Sequence, residues 1–103
     1  MTARRVLSKV IDDEAVVRCS TGEGFLREEV WEDASGKVVR YNLAFINQFV
    51  WSGDNGRVLG YDNSHGHHHR HFKGRTEPVA FVSYAAVRER FIAEVAVLKE
   101  EKP

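Results

Sequence analysis

Five histidines, His65, His67, His68, His69 and His71, fall within the stretch "YDNSHGHHHRH" (Tyr61–His71), and the chain has no others. Imidazole is the side chain whose ordinary pKa, about 6.5, lets it exchange protons near neutral pH, and its ring nitrogens also ligate soft and borderline metals. Two chemistries follow. The first is a metal site, with Zn²⁺ or another divalent transition metal held by His67, His69 and His71 and completed by Asp62 or His65. The second is metal-free acid–base chemistry on a phosphodiester. One imidazole would take a 2′-hydroxyl proton, another would protonate the leaving oxygen, and cations would stabilise the phosphate. A plain solvated loop is the third reading. Residue types alone leave the three open.

Geometry narrows what each reading needs. If "HHRHFK" is extended, residues of one parity share a face. His67, His69, His71 and Lys73 then line one side, with His68, Arg70 and Phe72 on the other. Phe72 gives the second side a reason to point inward. Under the acid–base reading, His69 and His71 are the catalytic pair. Tyr61 is an additional acid or a stacking platform, and Asp62 orients an imidazole. Arg70, Lys73, Asn63 and His67 are the substrate contacts. No cofactor is expected on this reading.

The elements that must hold this segment are legible as alternation. In Lys37–Trp51, "KVVRYNLAFINQFVW", Val39, Tyr41, Leu43, Phe45, Phe49 and Trp51 share a parity, which predicts one long strand with a buried face. Asn55-Gly56 predicts a hairpin turn, because both residues tolerate positive φ. "RVLGYDN" then returns antiparallel. "FLREEVWE" reads as a further strand, closed by the turn "DASGK". "RRVLSKVI" and "EAVVRCS", split by Asp12-Asp13, read as an N-terminal hairpin, with a helix from near Thr2 as the alternative. After Ser83, a candidate N-cap, Tyr84, Val87, Phe91, Val95 and Leu98 recur at helical spacing, predicting a helix to about Lys99. The expected fold is α+β: an antiparallel sheet of about five strands with one C-terminal amphipathic helix packed on it. All 103 residues form one domain.

Charge and composition set limits. The formal net charge is zero with neutral histidines, so the surface as a whole is no polyanion-binding field. From Arg57 to Arg75, however, four Lys or Arg accompany one acid, Asp62, which would be a local positive patch if that segment lies on one face. Cys19 is the single cysteine, which excludes an intrachain disulfide and a Cys-based zinc finger, and its parity with Ala15 and Val17 reads as core. Trp31 and Trp51 would be base-stacking platforms if exposed, and Trp51 shares the buried parity of its strand. Glu28, Glu29, Glu32 and Asp33 read as a solvated strand face. No stretch approaches the ~20 apolar residues of a membrane span, and no secretory-signal core is present near the start. A cytoplasmic protein is expected.

The same residues carry a family resemblance. "GYDNSHGHHHRHFKG" resembles the Tyr-Asp-Asn-x-x-Gly-x-x-His-x-His signature of the TumE family, small bacterial toxin–antitoxin proteins. Residue by residue, the match picks out Tyr61, Asp62, Asn63, Gly66, His69 and His71. "RYNLAF", "EPVAFVS" and the "RERFIAEV" helix are also similar, so the likeness runs from about Phe25 to Leu98. It implies a toxin of a type II system that cleaves RNA and is inactivated by a helix-turn-helix antitoxin. His67 and His68 exceed the signature, which leaves open which imidazoles act and keeps the metal alternative alive. A homodimer formed through an exposed strand edge is a further option. A non-enzymatic module holding a metal ion or an acidic partner is the competing class.

Overall fold

A computed structural model describes residues 6–102. Six strands follow one another in a single sheet: β1 (Ser8–Cys19), β2 (Gly22–Glu32), β3 (Val38–Ile46), β4 (Arg57–Asp62), β5 (His69–Phe72) and β6 (Arg75–Pro78). Every neighbouring pair is antiparallel. A single helix, α1 (Tyr84–Leu98), lies across β3 and β4. The α+β reading therefore holds, with six strands where about five were expected.

The helix forms where the spacing places it. Ser83 is extended, and its hydroxyl accepts the Ala86 amide at 3.1 Å, satisfying one of the unpaired donors of the first turn. Val87, Phe91 and Val95 then fall on one stripe and are buried. They cover Tyr41, Leu43 and Phe45 of β3 and Leu59 and Tyr61 of β4, with the Phe91 ring edge-on to Tyr61 at 6.3 Å. Cys19 is buried in this core, as its parity implies.

Three boundaries differ from the sequence reading, each for a physical reason. First, β1 runs unbroken through Asp12-Asp13. Asp12 is compensated by Arg27 on β2 at 2.9 Å and by Lys9 at 3.3 Å, so the acids need no turn. Thr2 to Arg5 of that expectation lie outside the described residues. Second, β3 stops at Ile46. Buried Asn47 donates its side-chain amide to Thr21 Oγ1 at 2.8 Å, and its two oxygens accept the amides of Phe49, Val50 and Trp51, folding the chain into a turn. Phe49 is therefore exposed and Trp51 half-buried. Third, β6 pairs with β5 through the two-residue turn Lys73-Gly74, both at positive φ, as a hairpin of the primed type requires.

The acidic run of β2 is also divided rather than solvated together. Glu28 faces the helix side, accepting from Tyr84 Oη at 2.5 Å and Arg88 Nε at 2.8 Å. Glu29 points to the opposite face and accepts from Lys9 Nζ at 2.7 Å, Asn42 Nδ2 at 3.0 Å and Arg27 Nε at 3.2 Å. The Lys9 bond first of all holds the Glu29 carboxyl down at about 2, against an ordinary 4.5. A carboxylate with a depressed folded pKa stabilises the fold above its unfolded value and loses that contribution as pH falls. Wild type should thus lose stability between pH 4.5 and about 2 more steeply than Glu29→Gln. The difference should be on the order of 1 kcal/mol, since the group is partly solvated. Urea midpoints at pH 7 and pH 2.5 for both proteins read it directly.

Candidate active site

Alternation along the central strands sends the helix-side residues one way and a second set of side chains to the open face. Across that open face, the register aligns Glu29, Asn42, Asp62 and His69 in one cross-strand row. The adjacent row contains Arg27, Ala44, Gly60, His71 and Thr76. His69 and His71 thus stand side by side on β5, with ring centroids 6.1 Å apart, and exposed His67 lies 6.0 Å beyond His69.

His71 is held at both ring nitrogens. Its Nε2 lies 2.8 Å from Asp62 Oδ2, and its Nδ1 lies 3.2 Å from the Thr76 hydroxyl. Asp62 is 7% exposed, and its other oxygen accepts the Ser64 amide at 3.1 Å. With the carboxylate accepting from Nε2–H, the Nδ1 lone pair faces the Thr76 hydroxyl, so a substrate hydroxyl would reach Nδ1 by displacing that contact. Arg57 completes the group, its Nη1 3.7 Å from Asp62 Oδ2. The Arg57 side chain reaches there by lying over Gly60, where an added Cβ would sit 2.9 Å from Arg57 Cδ. Gly60 is thus the close approach that lets a cation lie flat beside the imidazole.

The remaining sequence candidates fall elsewhere. Tyr61 is fully buried under α1 and donates to Glu94, and burial followed by that carboxylate pushes its hydroxyl up to about 12. It neither stacks on a ligand nor reaches the imidazole pair. Arg70 shares the helix face, bound to Glu94 and, at 3.2 Å, to Glu77. Lys73 sits in the β5–β6 turn, paired with Glu101 and lying 5.4 Å over the Phe72 ring. Neither cation stands beside His69 and His71, because Phe72 faces the core and brings Arg70 with it. Asn63 spends its amide on the β3 backbone, accepting from Tyr41 N at 3.0 Å and donating to Val39 O at 2.8 Å. His68 stacks on Phe81 at 3.9 Å, lies 2.8 Å from Tyr41 Oη, and is pushed below the usual histidine range chiefly by burial. Exposed His65 occupies a left-handed turn at φ 63°.

Arg57 and Thr76 are the members that residue-level reading missed as site residues. Gly60 within a strand was the available signal for a close side-chain approach, whereas nothing local marks Thr76. Among the described residues, no three His, Cys, Asp or Glu side chains are grouped tightly enough to hold a metal ion. The row His67, His69 and His71 would need to rearrange to become such a site.

Arg70 offers a clean test of these placements. Arg70→Met should lower stability by about 1–3 kcal/mol, because the part-buried Glu94 loses its better-placed arginine and keeps only Arg90 at 3.5 Å. Any salt dependence of nucleic-acid binding should be left unchanged, since a group that neutralises no phosphate releases no counterion. Urea unfolding and a salt titration separate the two effects.

A small antiparallel α+β domain thus displays an imidazole pair, a buried carboxylate and an arginine on one open sheet face. The profile of the family described as toxin TumE matches residues 4–99, and the chain belongs to that family of toxins of toxin–antitoxin systems, for which an antitoxin is the partner. The match extends the resemblance into the N-terminal quarter. No curated protein and no solved structure matches the chain. No helix among the described residues is long and apolar enough to cross a membrane.

Proposed function

We propose that this toxin is an endoribonuclease that cleaves RNA by histidine acid–base chemistry. The observation that carries the reading is the pair His71 and His69, 6.1 Å apart on one open face, with His71 oriented by Asp62 at 2.8 Å. In the proposed step, His71 Nδ1 takes the proton of a ribose 2′-hydroxyl. O2′ attacks the adjacent phosphorus, and the P–O5′ bond breaks. His69 gives its proton to O5′, leaving a 2′,3′-cyclic phosphate and a 5′-hydroxyl. Arg57 stabilises the charge that grows on the phosphate, the role assigned from sequence to Arg70 and Lys73. An open sheet face suits an extended polymer, and on it Arg57 is the cation beside the imidazole pair. The antitoxin, for which the resemblance implies a helix-turn-helix protein, would silence the toxin by covering this face.

The test is cleavage of an end-labelled RNA by purified protein in excess EDTA. Products ending in 2′,3′-cyclic phosphate are expected from wild type and absent from His69→Ala/His71→Ala. Cleavage only with added Zn²⁺ or Mn²⁺ would replace the acid–base reading with the metal alternative at His67, His69 and His71. No cleavage under either condition would return the segment to a binding role.

A further inference from the structure

Trp31 is a large aromatic that neither the core nor the imidazole site absorbs. It lies on the open face of β2, half-buried, between its cross-strand neighbours Lys9 on β1 and Arg40 on β3. Both neighbours contact its ring as cations, Lys9 Nζ at 5.0 Å from the centroid and Arg40 Cζ at 4.9 Å. Lys9 and Arg40 are themselves exposed. Lys9 is also held by Glu29 at 2.7 Å and by Asp12 at 3.3 Å. An electron-rich ring flanked by cations on a sheet surface suits single-stranded nucleic acid: the ring offers a π-face to a base, and Arg40 can turn onto the adjoining phosphate while Lys9 stays with its carboxylates.

Its position relative to the imidazoles is set by the register. Trp31 lies two residues along β2 from Glu29, which belongs to the row containing His69, and β2 and β5 are separated by β3 and β4. Strand spacing and rise place it about 16 Å from His69, a distance that several nucleotides span and a dinucleotide does not. We propose that Trp31, with Arg40 and Lys9, forms a nucleobase-stacking subsite for the RNA strand that crosses the open face, remote from the scissile phosphate. The proposal rests on the ribonuclease reading for its substrate class, but it concerns binding and not cleavage. Stacking of this kind tolerates every base, so the subsite contributes affinity for single strands rather than sequence choice.

The experiment uses an RNA that cannot be cut. Trp51→Phe leaves Trp31 as the single tryptophan, since the chain has two. Titration with a 2′-O-methyl oligonucleotide of eight nucleotides is expected to quench Trp31 fluorescence saturably, while a 2′-O-methyl dinucleotide does not. In the otherwise wild-type chain, Trp31→Ala should weaken binding of the octamer about 5- to 150-fold, and Trp31→Phe should restore most of it. Saturable octamer binding without quenching, or with Trp31→Ala binding as wild type does, overturns the subsite and leaves the cleavage reading intact. Quenching by the octamer in a protein that cleaves no RNA upholds the subsite and overturns the ribonuclease. No binding of the octamer overturns the subsite whatever the cleavage assay reports.

Discussion

His71→Ala is expected to lower single-turnover RNA cleavage by roughly 10²- to 10⁴-fold, the range that a positioned general base contributes. The fold should survive it. His71 is half-buried on the face opposite α1, and its ring contributes nothing to the Tyr61–Phe91 core. His69→Ala should cost a similar factor by removing the proton donor. Together the two variants carry a signature that a merely structural role would not produce. Wild type should show a bell-shaped pH–rate profile, and each single variant should retain one limb. Asp62→Asn should keep the ring in place but allow the wrong tautomer, lowering kcat more than it raises KM. Gly60→Ala should act at a distance, since its Cβ would push Arg57 off the sheet and weaken charge stabilisation without touching either imidazole. If both histidine variants cleave at the wild-type rate, the imidazole pair is not the catalyst.

Phe91→Ala should be the most damaging single change to stability. The ring is 3% exposed, stands edge-on to Tyr61 and lies between Val87 and Val95 on the only stripe that α1 buries. Truncating a buried phenylalanine costs about 3–5 kcal/mol through lost transfer energy and the cavity left behind. A domain of this size has on the order of 5–10 kcal/mol to lose. Among the described residues α1 is the one helix over the sheet, so the cavity has little around it that can collapse. Urea unfolding should show the loss, and the folded variant should keep the cleavage proposed for wild type, because His69 and His71 lie on the other face. A loss below about 1 kcal/mol would show that α1 is not held by this stripe.

The contrast between these two predictions reflects what each face of the sheet had to say in one dimension. Tyr41, Leu43 and Phe45 alternate with polar residues, Asn55-Gly56 tolerates positive φ, and Ser83 precedes a 3.6-residue apolar stripe. Strand, turn, cap and helix were therefore legible, because each is decided by neighbours within a few residues. The parity of His67, His69 and His71 was legible for the same reason. β6 was not, because "RTEP" is exposed on every residue and an edge strand with no buried side has no alternation to display. The continuity of β1 was hidden because Asp12 is balanced by Arg27, fifteen residues away.

The sequence by itself determined that an imidazole row would stand on one side of an extended segment and that a capped helix would close the chain. Only the tertiary structure decided what faces that row. Pairing β4 to β5 brings Asp62 onto His71, a gap at Gly60 lets Arg57 in beside them, and the inward Phe72 carries Arg70 to Glu94 on the far face. Local alternation states which residues share a side of one strand. Which side chains meet across strands depends on register, and register is a property of the whole sheet.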